Sequence, residues 1–146
     1  MNRERWFVVG MDFSQGAIHA FDYALKLADE LGASVACVHA YEDADEIPAG
    51  LDRAPAIRLQ MERVVSDCSP IDGRVRVDAV VRRGAPWDKL VNVAAELGAE
   101  LIVVGADGQR GAASEHFLGT VPNRLATTSS RSVLIVPSPS AHRAAL

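Results

Sequence analysis

"ELIVVGADGQRGAASEHFLGTVPNRLATTSS", residues 100–130, opens as an apolar strand and closes as a helix. Between the two, Gly105, Gly108, Gly111 and Gly119 interrupt the hydrophobic pattern. Glycine loses more backbone entropy on folding than any other residue and contributes no packing. Such a density predicts a backbone that turns tightly or comes close to something. A buried strand, a glycine loop and a helix in succession form the repeating unit of a parallel α/β sheet.

The rest of the chain repeats that unit. "RWFVVGMD" (5–12) is a short apolar run and reads as a first strand. "SQGAIHAFDYALKLADELGA" (14–33) places Ile18, Phe21, Leu25, Ala28 and Leu31 at helical spacing. Ser14 is a natural N-cap there and Gly32 a natural stop. "SVACVHA" (34–40) is a second strand and "APAIRLQMERVVSDC" (54–68) a second helix, with Ile57, Met61, Val64 and Val65 in register. "RVRVDAVVRRG" (74–84) reads as a third strand. "APWDKLVNVAAELGA" (85–99) reads as a third helix, opened by Pro86 and closed by Gly98. "SVLIVP" (132–137) is a fifth strand.

Strict alternation of strands and helices predicts a doubly wound, five-stranded parallel sheet with helices on both faces. Right-handed crossovers limit the winding to a few orders. In the order 3-2-1-4-5 the first and fourth strands are neighbours where the winding reverses. Ligands of such sheets bind at the carboxyl ends of the strands at that reversal. Asp12, closing the first strand, then faces the loop that begins at Gly105.

Composition bounds the function. The chain has 146 residues, 49% of them hydrophobic, and a formal net charge of -4. That is one domain with a real core, expected over residues 1–137 and followed by a flexible tail, 138–146. The acidic balance and scattered arginines argue against nucleic acid as a partner. No apolar stretch is long enough to span a bilayer, so no membrane partner is expected. The opening residues carry no signal-peptide pattern. Cys37 and Cys68 are not in a CxxC. That suits a reducing compartment, and a cytoplasmic location is expected.

The glycine loop has two readings. In one it is an anion cradle, with backbone N–H groups around Gly105 and Gly108 and the free first turn of a helix opened by Gly119 and Thr120. In the other it is a plain connection with Thr120 as N-cap. Other phosphate loops are excluded. Neither Lys26 nor Lys89, the only lysines, follows a glycine, so there is no Walker A loop. "GMDFSQG" (10–16) provides neither a GxGxxG nor a nucleophile elbow. Asp12 reads either as a ligand-facing carboxylate or as a cap for the turn that follows. His19, His39, His116 and His142 show no metal-ligand spacing, and no metal residues or catalytic residues are assigned. Cys37 reads as a core residue and Trp87 as packing.

The segments "VVGMDFSQGAIHAFDYALKLADELGASVACVHAYE", "VRRGAPWDKLVNVAAELGAELIVVGADG" and "FLGTVPNRLATTSSRSVLIVP" resemble the universal stress protein family, over nearly the whole chain and least in the second helix. The resemblance implies the fold of the adenine nucleotide alpha hydrolases. It also implies an ATP-binding module, with magnesium, that acts in stress response or signalling. In nucleotide-binding members a G-x-x-G pair is followed, after a spacer, by glycine and Ser/Thr. Carried over, Gly105 and Gly108 form the first pair and Gly119 and Thr120 the second. Asp12 would lie near the ribose or phosphates, and the backbone of Ala40 near adenine.

Three departures stand against that pattern. The spacer, 109–118, has ten residues, one more than in nucleotide-binding members. Asp107 is acidic where the family often carries a basic residue, and Pro122 removes one N–H from the first turn of the helix. They support an alternative: a nucleotide-free dimeric stress protein with no cofactor. An ATP pyrophosphatase-like enzyme is disfavoured because "GMDFSQG" lacks the Ser-Gly-Gly loop it needs. Any hydrolysis is expected to be slow and incidental. The fifth strand is an edge in the 3-2-1-4-5 order, and Val133, Leu134, Ile135 and Val136 carry no charge. A bare apolar edge invites another strand, and a homodimer through these residues is expected, as the resemblance also implies.

Overall fold

A computed structural model describes residues 3–42, 52–68, 73–107 and 118–139. The elements run β1 (Arg5–Gly10), α1 (Gln15–Leu31), β2 (Ala33–Tyr41), α2 (Ala54–Cys68), β3 (Val77–Arg83), α3 (Pro86–Leu97), β4 (Leu101–Gly105), α4 (Thr120–Thr128) and β5 (Ser132–Val136). The five strands form one sheet in the order β3-β2-β1-β4-β5. Every pairing is parallel. The doubly wound α/β fold is therefore present, and β1 and β4 adjoin at its reversal.

Strand alternation divides the core into two layers. Phe7, Val9, Val35, Cys37 and Val103 face α1 and α2, and pack with Phe21, Leu25 and Met61. Trp6, Val8, Ala36, Val38, Ile102 and Val104 face α3 and α4, and pack with Leu90, Val93 and Leu125. Helix α1 approaches the sheet closely because its inner face is largely alanine, with Ala17, Ala20, Ala24 and Ala28 all buried. Complete burial of a side chain such as Phe7 or Phe21 contributes about 1.5–3 kcal/mol.

The helix ends follow the sequence signals. Ser14 caps α1, its Oγ accepting from the Ala17 N–H at 3.1 Å. Gly32 (φ 70°) and Gly98 (φ 62°) terminate α1 and α3 in the left-handed conformation, which glycine adopts without steric penalty. Two details add to or differ from the sequence pattern. Leu31 is 45% exposed, because it stands in the last turn of α1, where its carbonyl accepts from Arg5 Nη1. The third strand begins at Val77 instead of Arg74; residues 73–75 are spent on a turn through Gly73, whose φ is 70°.

At the amino ends of the strands, charged groups clamp the sheet. Arg5 bridges Glu100 at 2.7 Å, and Arg76 binds both Glu4 and Asp78. Arg76 also stacks over Trp6 at 5.1 Å. The Arg5 guanidinium holds the Glu100 carboxyl below its ordinary range. Among the described residues, no helix is long and apolar enough to cross a membrane.

Candidate functional site

The carboxyl ends of β2, β1 and β4 lie side by side, and each feeds a loop toward the same rim of the sheet. The Met11 N–H donates to the Val38 carbonyl at 2.8 Å, extending the β1–β2 ladder by one residue. The chain then turns sharply. Phe13 has φ 66°, a left-handed conformation rare for a bulky residue. Strained backbone of this kind persists where its surroundings over-determine it, and it concentrates at functional sites. The periodicity of "GMDFSQG" gave no sign of it.

Asp12 sits inside this turn. Its Oδ1 accepts from both the backbone N–H and the hydroxyl of Ser14. The capping role weighed in the sequence is therefore real, and it fixes where the carboxylate stands. The Met11 carbonyl accepts from His39 Nδ1 at 2.7 Å. The His39 and Phe13 rings lie 4.7 Å apart, tilted by 39°. Ala40, paired with Arg82 of β3, is half-buried one residue further along β2.

The β4 side is built from glycine and backbone. Gly105 pairs with Val136 of β5, and the Ala106 N–H donates to the Val136 carbonyl at 3.0 Å. The Gly119 N–H donates to the Ala106 carbonyl at 2.8 Å. This bond brings the start of α4 back to the end of β4 and closes the loop that leaves at Asp107. Gly119, not Thr120, is the N-cap of α4, with φ -61° and ψ 170° and no side-chain capping bond. Thr120 is the first helical residue, so the capping reading of its hydroxyl is set aside. Pro122 is buried in the first turn of α4.

Gly105 lies at a close approach. A Cβ on it would lie 3.0 Å from the carbonyl carbon and oxygen of Gly16, in the first turn of α1. From Gly16 the view is similar: a Cβ there would lie 3.1 Å from the Asp107 carbonyl oxygen and 3.9 Å from its Oδ1. Asp107 thus faces the first turn of α1, where exposed N–H groups and the helix dipole favour a negative charge. Spacing along the chain carries no trace of this contact, because it joins residues far apart in sequence.

The structure therefore gathers Asp12, Gly105, Gly119 and Thr120 around the junction of β1 and β4, with Ala40 on the β2 side. Gly108, Gly111, Arg110 and His116 lie outside the described residues. Among the described residues no group of three or more His, Cys, Asp or Glu side chains is placed to hold a metal ion. Trp87, read from the sequence as packing, lies under the Arg124 guanidinium at 4.7 Å. An open groove of 420 Å³ on the α1–α2 flank is lined by Gln15, Ile18, His19, Asp22, Asp67 and Cys68. Burial, then Asp22 and Asp67, push the Cys68 thiol up, which disfavours the reactive thiolate.

The comparisons with known proteins agree with this fold. The Universal stress protein family matches residues 5–137. A Thermus aquaticus protein, described as the universal stress protein in the QAH/OAS sulfhydrylase 3' region, is 29% identical over 132 residues. That match covers 88% of this chain and 96% of the relative. A solved universal stress protein in complex with cAMP superposes with a TM-score of 0.73 at 28% identity, covering 94% of this chain and 99% of that one. A family member from Burkholderia pseudomallei superposes with a TM-score of 0.68 at 27% identity, covering 94% and 98%.

Proposed function

Because this chain belongs to the universal stress protein family, we propose that it is an adenine-nucleotide-binding module acting in stress response, with ATP as the ligand. The observation that carries the reading is the Gly119–Ala106 hydrogen bond. It brings the first turn of α4 beside the backbone that follows Gly105, on the rim of the sheet where β1 ends at Asp12. Backbone donors at a helix N-terminus suit a phosphate chain. A similar protein is solved in complex with cAMP, which supports a nucleotide as the class of ligand. The ribose and phosphates lie between Asp12 and the loop from Gly105 through Gly108 to Gly119 and Thr120, and adenine lies against the backbone of Ala40.

Asp12 and Asp107 bring negative charge to the phosphate region. Magnesium bound mainly through phosphate oxygens offsets it, and carboxylates are the hard oxygen ligands that this ion accepts. The module is read as a binder whose occupied state is passed on through shape or dimer contacts. Hydrolysis is slow and incidental, and the cytoplasm is its proposed location.

The dimer forms through the edge strand β5, by antiparallel pairing of Val133, Leu134, Ile135 and Val136 with the same residues of a second copy. The other edge, β3, is protected by Asp78, Arg82 and Arg83, whereas β5 has no charged residue. The second reading, a nucleotide-free dimer, is favoured by Asp107 and the ten-residue spacer. Gly119→Val separates the two. The extended backbone at this position accepts valine, at a capping loss of about 1 kcal/mol. Its side chain blocks close approach of a phosphate. Loss of ATP binding in a folded Gly119→Val protein supports the cradle; undiminished binding rules it out.

A further inference from the structure

We propose that His39 is a positioning residue for Asp12, holding the residues on either side of it. The inference rests on the reading of Asp12 as a nucleotide-facing carboxylate. A carbonyl oxygen only accepts, so the 2.7 Å contact with the Met11 carbonyl places the proton on His39 Nδ1. That bond fixes the residue before Asp12. The ring contact with Phe13, 4.7 Å between centroids, fixes the residue after it.

Both anchors act where the chain most needs them. Phe13 is the one non-glycine residue with positive φ among the described residues. The Met11 N–H continues the β1 ladder to the Val38 carbonyl, and the turn departs directly after it. The bonds from the Ser14 N–H and hydroxyl to Asp12 Oδ1 orient the carboxylate only while the turn keeps its shape. His39 is half-buried at the carboxyl end of β2, within the sheet, and supplies that shape from a rigid element. A bland core histidine would fill space. This one spends its donor on the backbone of the loop that carries the candidate ligand group.

The test uses three variants of the full chain. His39→Asn keeps an N–H donor at the place of Nδ1. His39→Gln sets its amide further out, and His39→Leu has no donor. Two quantities are read on each folded protein: the dissociation constant for ATP with magnesium, and hydrogen exchange at the Ser14 amide, which donates to Asp12 Oδ1. Loss of one positioned hydrogen bond corresponds to about a fivefold to tenfold change. His39→Leu and His39→Gln are expected to weaken ATP binding by that factor and to speed Ser14 exchange, with His39→Asn, which keeps the donor but loses the ring against Phe13, recovering both in part. Unchanged Ser14 exchange in His39→Gln and His39→Leu overturns the proposal, as does an Asn variant as impaired as they are. A parent that binds no ATP overturns the nucleotide reading instead, and Ser14 exchange alone then decides the role of His39. Should His39→Leu fail to fold, His39→Gln against His39→Asn carries the comparison.

Discussion

Gly105 and Gly16 meet backbone to backbone, so closely that a Cβ on Gly105 would stand 3.0 Å from the Gly16 carbonyl. The end of β4 is seated on the first turn of α1, and the loop toward α4 departs from that seat. Gly105 thus has a structural reason to be glycine whether or not a nucleotide binds. Gly119 has no such constraint from its own backbone, because φ -61° is open to any residue.

Gly105→Ala is therefore expected to destabilise the fold. Overpacking against backbone costs about 1–3 kcal/mol, and urea unfolding would read it as a lower midpoint with the slope unchanged. A midpoint equal to the parent's would mean that β4 and α1 separate without loss.

The sequence made the scaffold legible because its signals are local. Helical spacing of Phe21, Leu25 and Ala28, the cap at Ser14 and the stops at Gly32 and Gly98 each depend on neighbouring residues, and each appears in the structure. Alternation then left few ways to wind the sheet. The candidate site was legible only in outline. Asp12, Gly105 and Gly119 were marked by position and spacing. The left-handed Phe13, the His39–Met11 bond and the facing of Asp107 toward α1 arise from contacts between distant residues. Leu31 keeps the helical spacing yet is exposed, because periodicity marks a face of the helix but not where the sheet beneath it ends.

Asp107 is expected to act with opposite signs on stability and binding. Its carboxylate faces the N-terminal turn of α1, so Asp107→Asn removes a favourable dipole interaction of about 0.3–1 kcal/mol. The same change removes negative charge beside the proposed phosphates. Asp107→Asn, and more strongly Asp107→Arg, should tighten ATP binding in magnesium-free, low-salt buffer, where screening is least. Titration at two salt concentrations checks this; affinity identical to the parent's at low salt would place the carboxylate outside the field of the phosphates.

The β5 edge predicts a concentration-dependent dimer. Ser132 is exposed, whereas Ile135 packs against the second core layer. Ser132→Glu therefore adds charge to the edge without touching the core. Ile135→Lys adds it at the centre and is read together with the unfolding midpoint. Sedimentation should show both shifted toward monomer. A parent that stays monomeric at high micromolar concentration would exclude this interface.

Cys37 is predicted to be silent to thiol reagents in the native protein. Burial pushes its thiol from the ordinary 9.0 up to about 12. Cys68, half-buried at the end of α2, should label first and slowly. The sign for stability follows from the raised value in the fold. Below pH 9 both states hold the proton and nothing is lost. As pH climbs from 9 toward 12, the unfolded chain releases a proton that folded Cys37 keeps, so stability falls. Cys37→Ala should flatten that alkaline decline; a decline of equal slope in the variant would assign it to other groups.

Equilibrium dialysis of the purified chain against labelled ATP, with and without magnesium, tests the central claim most directly. Saturable binding that tightens with magnesium and disappears in folded Gly119→Val is the predicted result. A parent that retains no ATP at millimolar nucleotide, with magnesium present, would contradict the account and leave the nucleotide-free dimer as the reading of this fold.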